Sequence, residues 1–349
     1  MKKILVVIMT LLITSSMVMT GCQTTQGAEE VTPSGEETES TELKDEFKVG
    51  LLMGGPINDQ GWNASAYNGL VKIEEELGAT IAYAENLALS DNEDQFRAYA
   101  AAGFDIVFGH GYTFIDAAFK VAGDYPDTKF LLTSSAVTQD PNIGSVSDDG
   151  LQKGFIGGVV AGILTESNKI GYIGGMEIPP IVAGMNGFSA GATHVNPDVE
   201  IMTALTGDFT DAAKTKEFAY SFIDAGVDII LVQSDMGSLG AIEAGQDRGI
   251  KVIGMNTDQN VLGPDTVVTS AVADFPLAMM LVAKEVNDGT WVPSVRTMGL
   301  KENVVYLAPY HNFEDKLSQK DKDSIDAVIE EIIMGTVDAT VLANAMFGE

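Results

Sequence analysis

Three short apolar runs recur later in the chain at an almost constant distance. "KVGLLMGG", starting at Lys48, returns as "KIGYIGG" at Lys169; "AGFDIVFGHG" at Ala102 returns as "AGVDIILVQSD" at Ala225; "KFLLTSS" at Lys129 returns as "KVIGMNT" at Lys251. The offsets are 121, 123 and 122 residues. Short β-branched runs resemble one another by chance, but chance does not hold the spacing over three matches. The chain is therefore expected to carry one structural unit twice. Each run is continuously apolar and ends in glycine or polar residues. Between the runs lie patterns of helical spacing that close on glycine, such as "NASAYNGLVKIEEELG" and "DAAKTKEFAYSFIDAG". Continuous apolar strands alternating with helices predict parallel sheets covered on both faces. The expected fold is α/β, with two Rossmann-like lobes.

In open parallel sheets, ligands bind beyond the carboxyl ends of the strands, where loops lead into helices. Two facing lobes would bring six such loops to one cleft: 54–63, 109–114 and 133–140 from the first unit, and 174–186, 233–240 and 254–260 from the second. The first contains "NDQGWN". There Asn58 and Asp59 offer an amide and a carboxylate to a ligand edge, and Trp62 offers a flat face for stacking. Tyr112 follows the second strand, with His110 beside it, read as a polar loop residue. "LVQSDMGS" adds Asp235, and "GMNTDQN" adds Asn256 and Asp258; the two acids are either ligand carboxylates or caps of the following helices. Phe209 in "TGDFTD" is either a second stacking ring or core.

A formal net charge of −30 argues against a nucleic-acid partner. The three histidines, His110, His194 and His311, have no paired spacing, so no metal site is expected. No P-loop or dinucleotide fingerprint appears, and no cofactor is expected. "GFSAG" (187–191) matches the G-x-S-x-G elbow of serine hydrolases around Ser189, but that motif needs a preceding strand. Here the surrounding small-residue run reads as the middle of a helix, equivalent to "NASAYNGLV" of the first unit. "GFIGGVVAG" reads as a small-residue helix face, too short to span a membrane.

The chain opens with a basic, then apolar, then small-residue leader, read as a signal peptide over residues 1–21. It ends in "MTGC", and Cys22 is the chain's one cysteine, expected to be lipidated. Residues 22–46, poor in bulky apolar side chains and rich in acidic and small polar ones, are expected to form a lipid anchor and solvated tether.

"NDQGWN", "AAFKVAGDYPDTKFLL", "GFIGGVVAGILTESNKIGYIGG", "GFSAGATHVNPDVEI" and "IGMNTDQ" together resemble the basic membrane protein family of substrate-binding lipoproteins, over residues 47 to about 310. The resemblance implies a type 1 periplasmic-binding-protein architecture and an extracytoplasmic, lipid-anchored receptor that works with the permease subunits of an ABC-type importer. It implies as ligand a purine nucleoside or nucleobase, held between aromatic rings with Asn and Asp at its edges, and no chemistry performed. Asn58, Asp59 and Trp62 match the family's acid–aromatic motif, Tyr112 its aromatic after the second strand, and Asp258 the second acid of a D-x-D. The first acid of that pair is Asn256 here, "QSDMGSLG" replaces a glycine-rich segment, and a lysine expected after "VVTS" is absent. The lobes are expected at 47–147 plus 272–302 and at 148–271 plus 303–349. A sugar or signal-molecule receptor of the same fold, or a hydrolase using Ser189, are the alternatives.

Overall fold

The computed structural model describes residues 46–58 and 62–348. The expected signal peptide, Cys22 and the tether therefore lie outside the described residues, as does Asp59. The first unit supplies β1 (Lys48–Met53), α1 (Trp62–Leu77), β2 (Thr80–Ala84), α2 (Asn92–Ala101), β3 (Ile106–His110), α3 (Ile115–Val121), β4 (Lys129–Thr133), β5 (Ile143–Asp148) and α4 (Gly150–Leu164). The second repeats the order with β6 (Lys169–Gly174), α5 (Pro179–Val195), β7 (Glu200–Leu205), α6 (Ala212–Asp224), β8 (Ile229–Gln233), α7 (Ser238–Arg248), β9 (Lys251–Asn256), β10 (Val267–Ala273) and α8 (Phe275–Asn287). After these come β11 (Val295–Met298), β12 (Val305–Leu307), α9 (Gln319–Ile333) and α10 (Ala339–Phe347).

Two six-stranded sheets result, ordered β11-β5-β4-β3-β1-β2 and β12-β10-β9-β8-β6-β7. Shifting every strand of the first unit by five reproduces the second sheet, which is the duplication foreseen from the offsets. The six predicted runs are the inner strands β1, β3, β4, β6, β8 and β9. Every residue of β3 and of β8 is buried, as expected where helices cover both faces. All pairings are parallel except that of β12, which runs antiparallel to β10.

The symmetry is broken where the chain changes sheet. The helix that follows β5 packs on the second sheet's α5, and the one that follows β10 packs on α1 of the first. An aspartate marks each start: Asp149 Oδ1 accepts from Gln152 N at 2.9 Å to cap α4, and Asp274 Oδ1 accepts from Leu277 N at 2.9 Å to cap α8. The third passage runs from β11 to β12. The "GFIGGVVAG" and "GFSAG" runs meet along α4 and α5, whose backbones touch. A Cβ on Gly154 would sit 2.0 Å from the Gly184 carbonyl oxygen, and one on Gly191 would sit 2.1 Å from that of Phe155. No helix among the described residues is long and apolar enough to cross a membrane.

Candidate functional site

The parallel register aligns the strand ends. Met53 pairs with His110 and Thr133 with Val146 in the first sheet; Gly174 pairs with Gln233 and Asn256 with Val272 in the second. Asn58, Asp235 and Asp258 thus follow the carboxyl edges of the two sheets.

On the first sheet, the loop after β1 is pinned from below: Ile57 N donates to Glu85 Oε2 at 2.7 Å, and Leu87 N to the Met53 carbonyl at 3.1 Å. Asn58 is exposed. Trp62 opens α1, and its ring lies on the His110 imidazole with centroids 4.1 Å apart and planes 21° apart. Phe275, at the start of α8, completes an aromatic trio at 5.4 Å from Trp62 and 5.5 Å from His110. His110 is not a polar loop residue. It is the last, buried residue of β3, tied at both ring nitrogens. Nε2 lies 3.0 Å from the Trp62 carbonyl, which can only accept, so Nε2 carries a proton. Nδ1 lies 2.9 Å from the Thr133 hydroxyl, which also accepts from Gly111 N at 2.9 Å. Strands β3 and β4 therefore set the ring on which Trp62 rests. Trp62 keeps 36% of its surface exposed, and Tyr112 is 71% exposed.

On the second sheet, Phe209 is half-buried and packs against Gly175, where a Cβ would meet its ring at 2.3 Å. Its carbonyl accepts from Gly237 N at 2.8 Å, which joins the loops after β7 and β8. Asp235 is exposed in a left-handed backbone, φ 36°, and the N-cap positions beside it are Ser234 and Gly237. Asp258 accepts from Asn260 N at 3.1 Å through Oδ1 and faces His311 Nε2 at 2.7 Å through Oδ2, so its carboxylate ties its own loop to the segment after β12. Burial, then the carboxylates of Asp274 and Asp258, push the Tyr306 phenol up. Tyr172 donates to Gln233 Oε1, and burial holds the phenol far above its ordinary range, so it stays neutral.

Asn256 is joined to the first sheet. Lys153 Nζ donates to Asn256 Oδ1 at 2.7 Å and to Asp148 Oδ2 at 2.6 Å. The structure thus gathers Trp62 with His110 and Phe275, Asn256 with Lys153 and Asp148, and Asp258 with His311. Tyr112, Asp235 and Asn58 lie exposed near the strand ends. The sequence does not single out Phe275, Lys153 or Asp148, and it brings in His311 only in excluding a metal site. Lys153 had a signal: it is the one charge in "GLQKGFIGGVVAGIL", a helix otherwise apolar or small apart from Gln152. Among the described residues, no cluster of three or more His, Cys, Asp or Glu could hold a metal ion. Two surface depressions, of about 500 and 420 Å³, lie elsewhere; Phe313 lines the first, and Pro179 and Asn344 the second. Ser189 is mid-helix in α5, 3% exposed, and donates to the Met185 carbonyl at 3.0 Å, a position without the strand that a nucleophile elbow requires.

Residues 47–338 match the family described as ABC transporter substrate-binding protein PnrA-like. A purine-binding protein of Brucella abortus is 32% identical over 279 residues, which cover 79% of each chain. Among solved structures, a transcriptional activator of the comK gene from Bacillus halodurans superposes with a TM-score of 0.74 at 27% identity, over 82% of this chain and 97% of the other. An ABC transporter solute-binding protein from Conexibacter woesei gives 0.70 at 26% identity, over 84% and 98%.

Proposed function

Because this chain belongs to the PnrA-like family of ABC transporter substrate-binding proteins, and so works as an extracytoplasmic solute-binding protein, we propose that its solute is a purine nucleoside or nucleobase. The proposal includes a lipid anchor at Cys22, which would hold the body near the permease subunits of an importer. The observation that carries the ligand reading is the Trp62 ring. It is part-exposed at the strand ends and backed by a buried imidazole fixed at both nitrogens. Such a surface suits a planar base, because stacking needs a face that does not rotate away. The name and similarity of the Brucella protein support the same class of ligand. Asn58, Asp59, Tyr112, Phe209, Asp235, Asn256 and Asp258 are proposed to contribute around that face, with Asp59 and Asn58 at the edge of the base.

The rim residues are open to solvent, so enclosure of a ligand requires the two sheets to approach. We take 47–147 plus 272–302 and 148–271 plus 303–349 as the bodies that move. Mass spectrometry of ligand released from purified protein, followed by calorimetric titration of that compound, tests the reading. A purine recovered intact after long incubation supports capture without chemistry. A sugar recovered instead would move the ligand class while leaving the fold and family untouched. Turnover abolished by Ser189→Ala would make the protein a hydrolase.

A further inference from the structure

Lys153 sits in the first turn of α4, 4% exposed, and is the helix's one charge. Its two partners come from different sheets: Asp148 is the last residue of β5 and Asn256 the last of β9. One ammonium therefore stands between the carboxyl ends of both. Asn256 holds a left-handed backbone, φ 71°, a conformation that asparagine tolerates better than most residues. An ammonium has three donors, and a carboxylate accepts at both oxygens. Among the described residues, neither the third hydrogen of Lys153 nor Oδ1 of Asp148 has a hydrogen-bond partner. Burying such a pair does little for stability that well-packed apolar side chains would not do. What it leaves at the strand ends is one donor and one acceptor, adjacent, with no net charge.

We propose that Asp148 and Lys153 form an edge reader for a neutral heterocycle. Lys153 donates to a ring nitrogen or carbonyl oxygen, and Asp148 Oδ1 accepts from the neighbouring N–H. The assignment rests on the purine reading above and sharpens it. Hypoxanthine-type bases place N1–H beside O6, and adenine-type bases place the 6-amino group beside N1, so both carry the required pair. A purine riboside unsubstituted at position 6 keeps the ring and its stacking but has no N–H on that edge. The charges of the reader cancel, so a nucleoside monophosphate gains nothing here over its nucleoside.

The test crosses protein and ligand changes in one calorimetric cycle, with inosine, adenosine and purine riboside titrated into the full chain and into Asp148→Asn and Lys153→Met. In Asp148→Asn, the introduced amide would turn its oxygen to the ammonium and leave an NH₂ donor against the ligand's N–H. The parent is expected to prefer inosine or adenosine to purine riboside by about tenfold, the weight of one hydrogen bond to a charged group. In Asp148→Asn that preference should shrink below about threefold, the two changes being non-additive because they remove one contact. A structural role alone would weaken all three ligands equally and leave the ratio unchanged; that result overturns the proposal. Should Lys153→Met fail to fold, the Asp148→Asn ratio and the parent's own ranking still decide. A parent that binds purine nucleosides without ranking them also overturns it while leaving the purine reading intact. A parent that binds neither purine nucleosides nor purine bases overturns both.

Discussion

At the scale of single residues, the candidate base platform is a relay. Gly111 N–H positions the Thr133 hydroxyl, the hydroxyl meets His110 Nδ1, and the imidazole supports Trp62 from beneath while Nε2 holds the Trp62 carbonyl. Trp62→Ala removes the upper face and leaves the backbone contact. It should weaken every purine alike, by roughly 0.5–1.5 kcal/mol beyond lost burial, and leave the fold intact. Titration of several purines measures this, and unchanged affinity would make Trp62 a packing residue. Thr133→Val acts one step lower. It strands the buried Nδ1 and the Gly111 N–H, at a cost of about 1–3 kcal/mol in stability. Its affinity loss should be smaller than that of Trp62→Ala, because the ring remains but is less firmly aimed. Chemical denaturation and titration of the same variant separate the two effects.

At the scale of elements, helices α4 and α5 are held together by glycine. Gly191→Ala would drive a methyl group to 2.1 Å from the Phe155 carbonyl, so one helix must shift. Overpacking of this kind typically costs about 1–3 kcal/mol. A lowered denaturation midpoint with unchanged slope is the expected result. Asp149, the cap of α4, carries a different tension. Burial, opposed by the Gln152 N–H and reinforced by the Asp148 charge, raises its carboxyl above the ordinary value. A raised acid favours its protonated form in the folded state. Its contribution is therefore most favourable below the unfolded pKa and is lost as pH rises through the folded one. Asp149→Asn keeps the cap without the charge, since the two residues cap about equally well. The variant should melt higher than the parent at pH 7, and the difference should vanish as the solution is acidified below the ordinary aspartate range. Equal melting temperatures at pH 7 would show that the carboxylate's burial costs nothing.

These elements also show what was legible beforehand and what was not. The inner strands announced themselves because burial on both faces leaves no room for polar residues. The edge strands β2, "TIAYA", and β7, "EIMTAL", are only partly buried and lack a continuous apolar run. Strands β11 and β12 are too short, at four and three residues, to carry a period. His110 was hidden by its type: a polar residue at the end of an apolar run reads as loop, and only its pairing with Met53 and its bond to Thr133 show it to be strand. Lys153 was hidden by its company, because a helix of glycines draws attention to packing. Asn256 was legible as a polar residue closing an apolar run, but its link through Lys153 to Asp148 depends on where α4 begins in space.

For the molecule as a whole, the open rim predicts motion. Small-angle scattering at saturating ligand should show a smaller radius of gyration than the free protein, as the proposed lobes close about the three passages. An unchanged profile would count against closure. The interleaving of the sheets has a further consequence, for the order in which this protein can be built. The first sheet's outer neighbour to β5 is β11, which the chain reaches at Val295, after the inner strands of the second sheet have all been made. Likewise, the helix packed on α1 arrives only with Phe275. A chain emerging from its amino end therefore holds an unpaired β5 edge and an uncovered apolar face on α1 through most of its synthesis or passage. Exposed edges and faces of that kind are where partly made chains associate wrongly. A polypeptide cut before residue 275 carries most of both sheets yet completes neither, so its competence to fold is acquired late and for both lobes nearly together.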